Sequence, residues 1–140
     1  MEKKFSIGQM AKVGNCKVQT IRYYEQIGLL PEPSRSKGNQ RIYSHTHRER
    51  LIFIRHSREL GFTLDQIRQI LLISDDPNHS CEEVDHIART HLDEVESKIE
   101  RLEDMRKELK RMISECSCNQ VSDCRIIEIL SDHSLCQNEH

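Results

Sequence analysis

The sequence predicts a mainly α-helical fold: a winged helix-turn-helix, then one long antiparallel coiled-coil dimerisation helix that ends in a thiol-rich loop and a short helix. Three observations carry this. Two short amphipathic segments flank Gly14-Asn15 near the N-terminus, and a basic stretch punctuated by Pro31, Pro33 and Gly38 follows them. An apolar seam of heptad spacing then runs from Cys81 to Cys116.

Composition sets the limits. Of 140 residues 31% are charged and 4% aromatic, with no Trp, so a small domain with a helical extension that borrows a partner's surface is expected rather than one large core. The start, MEKKFSIGQMAK, holds no apolar run suited to a signal peptide, and nothing later approaches the roughly 18 apolar residues of a membrane span. A cytoplasmic location is expected, where clustered cysteines read as metal ligands or redox centres sooner than as disulfides. The net charge of −2 hides an asymmetry: residues 1–70 hold 13 Lys+Arg against 6 Asp+Glu, and residues 71–140 hold 8 against 17. A basic front suits a polyphosphate partner.

Taken in order, Ser6 can cap a helix carrying Ile7, Met10, Ala11 and Val13, and Gly14-Asn15 ends it. A second helix starts near Lys17 with Val18, Ile21 and Tyr24 inward, completing a helix-turn-helix. LLPEPSRSKGNQRIYS then forms a wing, in which Arg35, Lys37 and Arg41 fall within seven residues, a density suited to successive phosphates. Ser44 or Thr46 starts a third helix, Gly61 breaks it, and Thr63 caps a fourth with Leu64, Ile67, Ile70 and Leu71 as its stripe. The expected organisation is a DNA-binding region over residues 1–73, a polar linker over 74–80, the dimerisation helix over 81–115, a metal-binding loop and short helix over 116–130, and a flexible tail over 131–140.

Within the long helix Ala88, Val95, Leu102 and Leu109 share one heptad position, joined by Leu92, Ile99 and Ile113, with Arg106 as the break. Extrapolated, that position meets Cys81 and Cys116, five heptads apart. At 1.5 Å per residue they stand about 50 Å from each other along one helix. In an antiparallel dimer Cys81 of one subunit comes beside Cys116 of the other, giving two equivalent sites. Beyond Cys116 the stretch SCNQVSD is a loop, and Cys124 opens CRIIEILSD, whose Ile126, Ile127 and Leu130 are expected to close over it. Thiolates flanking a short loop suit Cu(I) when two-coordinate, and Zn(II), Cd(II), Pb(II) or Hg(II) with further ligands.

TIRYYEQIGLLPEPSRSKGNQRIY (residues 20–43) and FIRHSRELGFTLDQIRQIL together resemble the MerR family of transcription regulators, from about Ser6 to Leu130. The resemblance implies a homodimeric regulator that represses at rest and, on binding its effector, distorts promoter DNA for RNA polymerase. It implies that Arg22, Tyr23 and Arg41 contact the DNA backbone, and that Lys17, Val18, Gln19 and Thr20 form the groove-facing start of the recognition helix, with Lys17 alternatively only solvated. Gln40 stands where many relatives carry an aromatic residue. The length resembles the short metal and redox sensors. Cys116 and Cys124 match their loop cysteines, and a cysteine at the head of the dimer helix, here Cys81, implies a divalent soft ion: Zn(II), Cd(II) or Pb(II) ahead of Hg(II), with Cu(I) behind. Cys118 is either an additional ligand or an uninvolved thiol.

Rival readings share these residues. Cys116, Cys118 and Cys124 have the C-x-C-x5-C spacing of the family's iron–sulfur redox sensor, but Ile113 stands at that sensor's remaining cysteine. A metal-buffering protein, with an incidental basic half, is the alternative of another class. No paired carboxylates, Ser/His/Asp set or phosphate loop accompanies the thiols, so an enzyme is not expected. Cys16 reads as a small core residue, and His86 and His91 as solvated surface rather than ligands. His133, Cys136 and His140 in the tail either bind a second ion or bind metals opportunistically.

Overall fold

The computed structural model describes residues 3–116, 120–121 and 124–132. The chain divides into two compact units, Met1–Val84 and Asp85–His140.

The first unit is built from well-terminated helices. α1 (Ile7–Val13), α3 (His45–Glu59) and α4 (Leu64–Ser74) each open with a reciprocal capping box, formed by Ser6 with Gln9, Ser44 with His47, and Thr63 with Gln66. Each box satisfies two of the four backbone donors a helix start leaves open, which fixes where these helices begin. α2 (Val18–Gln26) has Lys17 at its N-cap position with no side-chain cap. Gly28 (φ 78°) and Gly61 (φ 89°) take left-handed conformations where the chain turns away from α2 and α3.

Between α2 and α3, β1 (Ser34–Arg35) and β2 (Arg41–Ile42) pair antiparallel, Ser34 opposite Ile42 and Arg35 opposite Arg41. Their turn is closed by the Gln40 amide donating to Ser36 Oγ at 3.1 Å and by Arg35 donating to the Asn39 carbonyl at 3.2 Å. Phe5 bridges to Tyr43, anchoring the chain's start beside the wing. Met10, Ile21, Leu30, Tyr43, Leu51 and Ile67 belong to one core, against which Tyr24 and Cys16 pack.

The second unit is dominated by α5 (Glu82–Glu115), a single helix of 34 residues, followed by α6 (Arg125–Ser131). Among the described residues its buried apolar ones are Met112 and Ile129, while Ile127 and Leu130 are exposed. This departs from the expected cover of Ile126, Ile127 and Leu130. Two turns of helix present one inward stripe, here half-buried Ile126 with Ile129 at i+3. His91 also departs from expectation, being 9% exposed with Nδ1 3.8 Å from the Glu94 carboxylate, whereas His86 is exposed. Among the described residues no helix is long and apolar enough to cross a membrane.

Candidate functional site

The helix-turn-helix is arranged so that α2 shows one polar face. Gln19, Arg22, Tyr23 and Gln26 follow the i, i+3, i+4, i+7 spacing and are exposed, while Ile21 is buried and Tyr24 packs on the core. Lys17 is exposed just ahead of the helix, and Val18 and Thr20 are half-buried at its flank. In the wing Arg35 and Lys37 are exposed and Arg41 is half-buried. Arg22, Arg35 and Arg41 come together on two neighbouring clefts, one lined also by Glu25 and Glu32, the other by Ser6 and Asn39. Three guanidiniums from a helix and both strands of a hairpin gather on one surface, an arrangement chemically suited to anions.

Glu25 is the residue that sequence reasoning missed. Its side chain is 8% exposed, accepts a hydrogen bond from the Tyr43 hydroxyl at 2.9 Å and lies 3.5 Å from Arg41 Nε. A signal was present in its position four residues after Ile21, on the inward face of α2.

At the other end of the chain Cys116 directly follows α5, and Cys124 holds the N-cap position of α6 without a side-chain cap bond. Both are half-buried, and their sulfurs lie 3.8 Å apart, too far for a disulfide. A metal held tetrahedrally by thiolates at ~2.3 Å sets two sulfurs ~3.8 Å apart. The two thiols are thus close enough to share one metal ion. Among the described residues no group of three or more His, Cys, Asp or Glu is placed to hold a metal. Cys118 and the tail's His133, Cys136 and His140 lie outside the described residues.

Charged side chains seat α6 beside this pair. Glu115 accepts from Arg111 at 3.1 Å on its own helix and from Arg125 Nε at 3.2 Å on α6, and Arg125 also pairs with Glu128 at 3.0 Å. Arg111 is bonded to Glu108 as well. The Arg125 hydrogen bond, with Arg111 assisting, holds the Glu115 carboxyl below its ordinary range. Cys81 is exposed, one residue before α5, and 34 helical residues at 1.5 Å set it about 50 Å from Cys116 along that helix. Cys16, at the turn between α1 and α2, packs on the core, and burial raises its thiol pKa, as suits an inert small residue.

A profile described as MerR HTH family regulatory protein matches residues 5–72, and one described as MerR, DNA binding, matches residues 48–112. The HTH-type transcriptional regulator ZntR of Escherichia coli K12 is 39% identical over 129 residues, spanning 90% of this chain and 92% of that protein. This chain belongs to the MerR family. Among solved structures, the MerR-family chain is similar to the transcription regulator PbrR691 of Ralstonia metallidurans CH34 in complex with lead(II), with a TM-score of 0.77 and 40% identity over 90% of this chain and 98% of that one. It is also similar to the dual-function regulator MerR of Bacillus megaterium MB1 in complex with mercury(II), with a TM-score of 0.68 and 30% identity over 91% of this chain and 100% of the other. As a MerR-family protein it is a DNA-binding transcription regulator and not an enzyme.

Proposed function

We propose that this regulator is a homodimer sensing a divalent soft ion, Zn(II), Cd(II) or Pb(II), through Cys116 and Cys124 of one subunit and Cys81 of the partner subunit. Cys118 serves as an additional thiolate of the same loop. The observation that carries this is the pair of sulfurs 3.8 Å apart at the end of α5, combined with Cys81 at the head of the same heptad seam. Similarity to a lead(II)-bound relative at 40% identity supports the ion class. The Cu(I) reading needs only Cys116 and Cys124, so it predicts a metal response that does not depend on Cys81.

On DNA, Lys17, Val18, Gln19 and Thr20 enter the major groove of a palindromic operator, and Arg22, Tyr23, Arg35, Lys37 and Arg41 grip the flanking phosphates. Ligation displaces thiol protons and fixes Cys116 at the end of α5 and Cys124 at the start of α6 about one ion. That change, delivered at both ends of an antiparallel helix pair, resets the two DNA-binding domains. The promoter is thereby distorted into a form RNA polymerase can read.

Transcription in vitro from the chain's own promoter, run against buffered free Zn, Cd, Pb, Hg and Cu, tests the reading. Activation by one of the first three ions is expected, with Cys116→Ser and Cys124→Ser inactive and Cys81→Ser losing the divalent response. A Cys81→Ser protein that keeps its divalent response would show the shared site to be wrong. A protein coloured as purified from aerobic cells would favour an iron–sulfur cluster, and failure to bind any defined palindrome would leave metal buffering.

A further inference from the structure

A buried carboxylate beside a surface meant for phosphates is costly unless it is paired, and the partners of Glu25 both come from the wing. The Tyr43 hydroxyl donates to Oε1 at 2.9 Å. Tyr43 is fully buried, and that burial, reinforced by the Glu25 hydrogen bond, raises the phenol pKa far above its ordinary value, so the proton stays on Tyr43. The other oxygen, Oε2, faces Arg41 Nε at 3.5 Å. Both atoms are buried and neither has a hydrogen-bond partner. Charge holds them together, roughly half an ångström beyond the usual N–H···O distance. Arg41 stands opposite Arg35 across the wing and shares the cleft with Arg22 and Arg35.

We infer that Glu25 is a positioning residue for operator binding. By holding Arg41 Nε from behind, it aims the terminal guanidinium nitrogens at a backbone phosphate and ties the recognition helix α2 to the wing. Helix and wing are then set on the duplex as one piece, and the open Nε–Oε2 pair closes to a hydrogen bond when the phosphate is engaged. This rests on the reading of Arg41 as a phosphate contact. Simple electrostatics predicts the opposite effect of the carboxylate, because a negative charge near DNA repels it and its removal tightens binding. The sign of the effect therefore decides.

The experiment is a fluorescence-anisotropy titration of the full-length dimer on its own promoter fragment at several salt concentrations, with E25Q, R41A, their combination and Y43F. E25Q keeps the volume and an acceptor for Tyr43. It is expected to weaken binding about tenfold and to lower the salt slope by about 1.8 per dimer, two phosphate contacts at about 0.9 each. In the R41A background E25Q changes nothing further. Y43F, which disturbs the same buried carboxylate without removing its charge, leaves the salt slope unchanged. Tighter or unchanged binding by E25Q with R41A weak overturns the role of Glu25 alone, as does an equal E25Q loss in both backgrounds or a salt slope lowered by Y43F. R41A binding as well as the unsubstituted protein removes the phosphate reading of Arg41 itself, and this inference with it.

Discussion

Gly14 sits where the turn between α1 and α2 presses on α3: a Cβ built there meets Leu51 Cδ2 at 2.8 Å and Cys16 Sγ at 3.1 Å. Its φ of −83° is open to any residue, so what requires glycine is the close approach and not the backbone. Gly14→Ala is expected to cost about 1–3 kcal/mol by overpacking. Urea unfolding measures it, and an unchanged midpoint would show that Leu51 swings aside freely. The sequence places turns at both Gly-Asn pairs, but in each the asparagine takes the left-handed conformation, Asn15 at 46° and Asn39 at 64°. Local composition marks a turn readily, whereas contacts from a distant helix such as α3 decide which residue bears which constraint. Glu25 was hidden for the same reason, since its partners Arg41 and Tyr43 lie on the wing.

α6 is tied to the end of α5 by the Arg125–Glu115 pair, so its seating depends on pH in a definite direction. The Glu115 carboxyl is lowered from its ordinary 4.5, first by Arg125 and then by Arg111. A depressed carboxylate contributes stability that is fully present above its unfolded value and disappears as pH falls through the folded one. Protection of the α6 amides against hydrogen exchange should therefore hold above that ordinary value of 4.5 and decline as pH falls below it. Arg125→Gln should remove that decline. As the pair is exposed, Arg125→Gln should weaken Cd(II) affinity only about two- to fivefold, read from thiolate-to-metal absorption in a competition titration. A loss of a hundredfold would mean that Arg125 acts on the thiolates directly. At this scale the sequence left Ser44 and Thr46 as alternatives for α3, of which Ser44 is the cap, and the caps Ser6 and Thr63 were legible because capping is local. The inward face of α6 was not, because three neighbouring apolar residues on so short a helix leave its rotation to packing.

For the whole molecule the exposed seam of α5 is the feature that needs a partner. Leu92, Ile99, Leu102, Leu109 and Ile113 are each between 50% and 63% exposed in the single chain, and a stripe of this length is stable in water only when covered. Leu102→Asp is expected to give a monomer in sedimentation and to weaken operator binding by more than a hundredfold. The period of the seam made the long helix readable from sequence, but whether Cys81 completes its own subunit's site or its neighbour's is a property of two chains. Mixed dimers distinguish these cases. A subunit carrying Cys81→Ser keeps its loop thiols, and one carrying Cys116→Ser with Cys124→Ser keeps Cys81. If Cys81 acts across the interface, the heterodimer has one complete site and one left with Cys118 alone, and it binds one Cd(II) tightly where the unsubstituted dimer binds two. If Cys81 acted within its own chain, neither subunit of that heterodimer would hold a full set. Copurified heterodimers with two different affinity tags, titrated with Cd(II) and followed by thiolate-to-metal absorption, give the count directly: one tight ion supports the shared site, and none rejects it.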